Sequence, residues 1–168
     1  DALVRDRLIG MIQPREAEAP GAGRAPLYAV GCLGRITEVE ALEDGRYHLL
    51  LEGLHRFRVL RELDVTTAFR QVEAEQIDEG EDVLAAVERA ALEQESRRFA
   101  AWLGYRVDWD GVTQLDDTTF VNAVAQVAPF DVASKQALLE ADAISDRAEL
   151  LMQMMRFATS QRDPGDNR

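Results

Sequence analysis

The sequence predicts an α+β protein, with closely spaced antiparallel strands curled into a small sheet or barrel and a helical bundle after them. Three observations lead there. From Pro26 to about Asp78 the apolar residues fall in short, β-branched runs separated by turn residues. Around Gly80 the apolar period changes to that of amphipathic helices. The chain, at 168 residues, is long enough to bury a sizeable core as one domain or two small ones. The β part is expected over residues 1–79, the helical bundle over 80–160, and a disordered polar tail over 161–168.

In chain order, "RLIGMIQ" reads as a first strand and "PREAEAPGAGRAP" as a mobile loop. "LYAVGCLGRITEVEAL" is strand-forming, with Gly31 and Gly34 allowing a bulge or a close backbone approach. Asp44-Gly45 accepts positive φ cheaply and marks a hairpin turn. "RYHLLLE" returns as a strand that Gly53 is expected to interrupt, and "LHRFRVLREL" and "FRQVEAEQI" supply two more. A long helix follows from about residue 80 to Tyr105, its apolar positions Leu84, Val87, Ala91, Phe99, Trp102 and Leu103. Its polar middle, Gln94 to Arg98, is expected to be exposed or to bridge two packed regions. "TTFVNAVAQVA" places Phe120, Val124 and Val127 on one helix face, and a further helix begins near Asp131. The last helix carries a D-x-x-E capping box, Asp146 with Glu149, then Leu151, Met154, Met155 and Ala158 at helical spacing.

Composition narrows the functional classes. No apolar run approaches the roughly 20 residues that a bilayer crossing needs. The net charge of −12 repels nucleic acids and anionic membranes unless the basic residues gather on one face. A single cysteine, Cys32, excludes an internal disulfide framework and fits a reducing, cytoplasmic setting. No signal peptide is visible, yet the chain opens on Asp1 and not Met, so a start upstream and a removed leader both stay open.

Catalytic and cofactor signatures are sparse. His48, His55 and Cys32 lack recognisable zinc-ligand spacing, so no metal is expected. There is no G-x-S-x-G elbow, H-E-x-x-H helix or phosphate-binding loop, so no cofactor and no catalytic residue is assigned. Ser134 and Lys135 are adjacent helical residues about 100° apart, poorly placed for a dyad. The acids between Glu73 and Asp82 lack the order of a calcium loop and read as a solvated strand edge running into a helix start. Arg56 and Arg58 read as a charged outer face. Asp108 and Asp110, flanking Trp109, read as a loop between helices more than as the acid and base of a hydrolase.

The three leucines of "YHLLLE" are more informative. Leu49 and Leu51 point with Tyr47 to one side of a strand, and Leu50 points with His48 to the other. A half-buried strand would carry a polar residue at 50. Leucine there means that both faces are covered, or that Leu50 belongs to an exposed apolar spot filled by a partner.

These residues carry a resemblance. "YAVGCLGRITEVEALEDGRYHLLLEGLHRFRVL" resembles the N-terminal, substrate-binding domain of the Lon ATP-dependent proteases. The matching motifs are Val30-Gly31 through Ile36, Asp44-Gly45 through Glu52-Gly53, and Arg56-Phe57 through Val59, with "KQALLE" in the helical half. The likeness runs from Leu8 to about Phe157. It implies a PUA-like β-barrel over 1–79, a helical bundle over 80–160, and a non-enzymatic module that binds unfolded or specific client polypeptides. It also implies a stand-alone bacterial protein of this family, without ATPase or protease domains. The family's apolar, proline-containing first strand has only "DALVRDRL" in its place, so the natural N-terminal strand is expected to be missing. Leu50, with His48 and Met11 on the same outward face, is the candidate polypeptide contact. An RNA-binding PUA-like module is the alternative, against which the acidic balance weighs. Oligomeric state and client identity stay open.

Overall fold

β2 (Val30–Ala41) and β3 (Tyr47–Glu62) form the antiparallel hairpin around which the sheet is built. The computed structural model describes residues 2, 5–15, 24–78, 80 and 83–161. The chain divides into two compact units, Asp1–Glu79 and Gly80–Arg168. Residues 16–23, most of the stretch expected as a loop, and 162–168, expected as a tail, lie outside the described residues, as do positions 1, 3, 4, 79, 81 and 82.

In the first unit β1 (Leu8–Met11) pairs with β2, and β4 (Val72–Gln76) pairs with β3, giving the order β1-β2-β3-β4. The expected barrel is not closed. Among the described residues the two short outer strands each pair inward, and no ladder joins β1 to β4. Nor does Gly53 interrupt the return strand, as expected. Gly53 pairs with Gly34 and His55 with Leu33, so Leu54 is an extra residue accommodated as a bulge and β3 runs on for 16 residues. Buried Val30, Ile36 and Phe57 anchor the sheet. Arg56 is buried too, against the expectation of a charged outer face; Arg58 is exposed and lies 3.9 Å from Glu75.

The second unit contains α1 (Ala86–Leu103), α2 (Trp109–Val112), α3 (Asp117–Val127), α4 (Val132–Glu140) and α5 (Ile144–Gln161). Carboxylates start three of them. Asp108 accepts from the Gly111 N–H, Asp116 from Thr119 and Asp131 from Ser134, at 3.2, 2.9 and 2.7 Å. Gly104, at φ 74°, ends α1 in the left-handed conformation. The core gathers Leu92, Phe99, Phe120, Leu138, Leu151 and Met155.

Two expectations fail here for identifiable reasons. The middle of α1 is not exposed: Leu92, Glu95, Ser96, Phe99 and Ala100 form one buried stripe at helical spacing, two of whose positions are polar. Glu95 is accommodated by the Arg156 guanidinium at 3.0 Å from α5. Val87, expected on the apolar face, is exposed. The last helix starts two residues before the expected Asp146 cap, because Ile144 packs into the core and Ala143 accepts the Arg147 N–H. Asp146 is thus an acidic first-turn residue, and Glu149 accepts from Gln153. Asp108 and Asp110 flank Trp109 at the start of the single-turn α2, where Asp108 is a cap. Among the described residues no helix is long and apolar enough to cross a membrane.

Candidate functional site

The turn sets the hairpin's geometry. The Leu42 N–H donates to the Arg46 carbonyl at 2.8 Å around Glu43–Gly45, and Gly45 sits at φ 81°. A three-residue loop ending in a left-handed glycine fixes the register of the strands that follow. Ala41 pairs with Tyr47, Val39 with Leu49, Glu40 with His48 and Glu38 with Leu50. Arg46 donates to the Asp44 carboxylate through its side chain, at 2.7 Å, and through its backbone N–H, and these bonds hold Asp44 below the usual carboxylate range.

Alternation then divides the hairpin tip into two unlike faces. On one, Val39, Tyr47 and Leu49 stand on adjacent strands, 37%, 62% and 42% exposed. Cross-strand partners on one face are neighbours at about 5 Å, so these side chains form a continuous apolar patch on the surface. On the other, Leu50 is 56% exposed beside Glu38, with His48 and Glu40 next along the ladder. His48 Nδ1 lies 3.6 Å from the Glu40 carboxylate. One face is apolar; the other is a leucine set among charges.

Met11 lies apart from Leu50 and His48. It pairs with Cys32; Cys32, Gly34 and Ile36 share one face of β2, and Ile36 pairs with Leu51. Met11 therefore belongs to the face of Leu51, Leu49 and Tyr47, opposite Leu50 and His48. It is 55% exposed. The shared outward face expected for the three residues is not formed. The phase changes at Thr37, an extra residue in β2 whose hydroxyl donates to the Leu50 carbonyl at 3.2 Å.

Val39 and Leu49 are what reading the leucines alone missed. The signal was present, since a loop at Glu43–Gly45 dictates that residues whose numbers sum to 88 face each other. His55 pairs opposite Leu33, while His48 faces Glu40. Among the described residues no group of three or more His, Cys, Asp or Glu is placed to hold a metal ion. What the hairpin offers is apolar surface beside carboxylates.

An open antiparallel sheet bearing an exposed apolar hairpin, followed by a separate helical unit, defines an α+β protein of two units. The chain belongs to the family of ATP-dependent protease La (LON) substrate-binding domains, which it matches over residues 1–156. It is 29% identical over 164 residues to the Lon protease of Escherichia coli K12, and 27% identical over 162 residues to Lon protease 2 of Desulfotalea psychrophila. Each match covers 92% of this chain and 20% of the relative, so the chain spans about a fifth of these proteins. Its fold is similar to the N-terminal domain of a Mycobacterium avium complex Lon protease, with a TM-score of 0.61 at 18% identity over 89% of each chain. It is also similar to a Lon N-terminal domain protein from Xanthomonas campestris, with a TM-score of 0.58 at 18% identity, covering 88% of this chain and 89% of the other.

Proposed function

We propose that this protein is a non-enzymatic polypeptide-binding module that takes apolar segments of unfolded client chains on the tip of its β2–β3 hairpin. The observation that carries the reading is the side-by-side exposure of Val39, Tyr47 and Leu49 in a domain of the substrate-binding family. Exposed apolar surface rimmed by polar residues is characteristic of a protein-interaction site. Met11 extends the same face, and Leu50 with His48 forms a second, smaller contact on the other. The carboxylates of Glu38 and Glu40 favour clients whose apolar segments carry basic flanks. In this reading the sheet is PUA-like, the helices are a bundle, and the module works in the cytoplasm as an adaptor in proteolysis. An RNA partner is disfavoured by the net charge of −12.

The test is fluorescence anisotropy of a labelled, permanently unfolded protein titrated with this one, with the folded form of the same client as control. Saturable binding to the unfolded form alone is expected. Leu49→Glu should weaken it about tenfold, equivalent to about 1.4 kcal/mol, and Leu50→Glu less. If both variants stay folded and bind as the wild type does, the hairpin is not the contact surface.

A further inference from the structure

The β2–β3 hairpin has edges as well as faces. Among the described residues β4 pairs with β3 only from Phe57 to Glu62, and β1 pairs with β2 only from Cys32 to Arg35. The hairpin therefore runs past both outer strands, and no described strand lies along the outer side of β3 from Tyr47 to His55. β3 carries no extra residue before Leu54, so its edge is regular from Tyr47 to Glu52.

Hydrogen-bond alternation fixes which groups that edge presents. The Leu42 N–H donates to the Arg46 carbonyl, which makes those two residues a bonded pair. The N–H and C=O groups of Tyr47, Leu49 and Leu51 then point away from β2. Ile36, opposite Leu51, agrees, since its N–H donates outward to the Arg7 carbonyl. A row of main-chain groups at strand spacing is matched by another extended chain. Edge strands are ordinarily protected by lysine, proline or inward charges. The stretch Tyr47-His48-Leu49-Leu50-Leu51 has no lysine, proline or carboxylate.

This edge is complementary to itself. Laid antiparallel on a copy with Leu49 against Leu49, Tyr47 faces Leu51, His48 faces Leu50 and Arg46 faces Glu52. The outward-pointing residues become the hydrogen-bonded pairs, giving about six main-chain bonds. One step beyond, Gly45 faces Gly53, with no side chains to collide. Arg46 holds Asp44 through Nε and Nη2, and among the described residues its Nη1 has no partner. The outer edge of β2 fails the same test. Its outward groups are those of Val39 and Ala41, and a twofold copy there sets Glu40 against Glu40.

We propose that two copies of this chain associate edge to edge through β3, antiparallel about a twofold axis at Leu49, to form one continuous sheet. An isologous contact of this kind closes at two copies. Arg46 of each copy faces the partner's Glu52, and the patches of Val39, Tyr47 and Leu49 join into one apolar strip. Edge pairing leaves that strip open, so the dimer does not depend on the polypeptide-binding reading and stands if that reading fails.

The experiment is sedimentation equilibrium of the full chain with amide hydrogen exchange, over roughly 10 µM to 1 mM, because a contact confined to one strand edge is small and weak. A monomer–dimer equilibrium is expected. The N–H groups of Tyr47, Leu49 and Leu51 should exchange more slowly as concentration rises, and those of His48 and Leu50, which face β2, should change far less. Arg46→Glu and Glu52→Arg should each weaken association about tenfold, since the axis doubles every new repulsion. Mixing the two variants should restore dimers, because each copy then supplies the charge that the other lacks. If Arg46→Glu upsets the turn it shares with Asp44, Leu49→Pro tests the same edge: it removes an outward N–H, spares the β2 ladder and should abolish association. The proposal is overturned if the chain stays monomeric throughout that range, or if it dimerises without slowing the Tyr47, Leu49 and Leu51 amides. It is overturned equally if those amides slow only when an unfolded polypeptide is added to a monomeric chain, which would make the edge a client site.

Discussion

Gly31 lies beside the end of β1, next to the Met11–Cys32 pair. A Cβ placed on it would come within 2.6 Å of the Met11 carbonyl oxygen and of Phe57 Cζ, and 2.9 Å of Ile12 Cγ1. The carbonyl is backbone held in a ladder, so it cannot yield as a flexible side chain would. Gly31→Ala is therefore expected to destabilise the sheet by about 1–3 kcal/mol, the usual cost of forcing an extra methyl into a packed site. Gly53→Ala is the control. Its added Cβ meets only Cys32 Sγ, at an ordinary 3.7 Å, and the change should stay within about 0.5 kcal/mol. Urea denaturation of the two variants, followed by amide signals of β2 and β3, checks both; equal effects would mean that the close approach at Gly31 is not what fixes the glycine. From the sequence Gly31 read as either a bulge or a close approach, and the second is what forms. Bulges fall at Thr37, Leu54 and Leu60. The one at Leu54 adjoins the Gly53–Gly34 pair, as Gly34 allowed. Thr37 and Leu60 have no glycine beside them, because a bulge also depends on which residues the partner strand offers.

At the scale of elements, α1 shows what periodicity can and cannot reveal. Of the buried stripe Leu92, Glu95, Ser96, Phe99 and Ala100, the apolar pattern picked out Phe99 alone, because the polarity of Glu95 and Ser96 made the middle of the helix look exposed. Burial of Glu95 is offset by Arg156, which lies 61 residues on in α5, with the Arg98 guanidinium 3.9 Å from its other oxygen. Arg147 is a similar case and joins three helices. From α5 its guanidinium donates to the Leu138 carbonyl at 3.1 Å, the Ala141 carbonyl at 3.3 Å and Asn122 Oδ1 at 2.9 Å. Two of these acceptors are carbonyls at the C-terminal end of α4, where helix carbonyls call for donors from outside the helix. Arg147→Met keeps much of the side-chain volume and removes the donors, and should cost the helical unit about 2–4 kcal/mol. Both tryptophans, Trp102 and Trp109, lie in that unit, so the midpoint of urea denaturation by tryptophan fluorescence measures the loss. A shift no larger than that of an exposed control such as Arg98→Met would show that the α4 carbonyls are satisfied without Arg147. The α4 start was read near Asp131, the residue that caps it, since capping is local; the Asp116 cap of α3 follows the same rule but was not singled out. The α5 start was not, because Ile144 is drawn into the helix by the core it fills.

At the scale of the whole molecule, the α+β class was legible because the apolar period changes once along the chain. Closure of the sheet was not, since it depends on whether two short strands more than 60 residues apart meet. The acidity of the chain has a further consequence. Four exposed carboxylates are held below their ordinary range: Asp44 by Arg46, Glu62 by Arg70, Asp116 by Thr119 and Asp131 by Ser134. The first two lie in the sheet unit and the last two in the helical unit. A carboxylate with a depressed folded pKa contributes stability that is complete above its unfolded pKa and is lost as pH falls through the folded value. With ordinary values of 3.8 for aspartate and 4.5 for glutamate, the loss from these groups begins near pH 4.5 and continues below pH 3.8. Stability contributed by these four groups should therefore be level from neutral pH down to about pH 5, and then fall in both units. Asp116→Asn with Asp131→Asn separates their share, because asparagine caps a helix nearly as well but does not titrate there. In the double variant the tryptophan-monitored transition should be less sensitive to acid than in the wild type, with the acid response of the β2 and β3 amides unchanged. Identical acid profiles for the two proteins by tryptophan fluorescence would mean that the caps do not set the helical unit's acid sensitivity, and that the loss arises from carboxylates elsewhere in that unit.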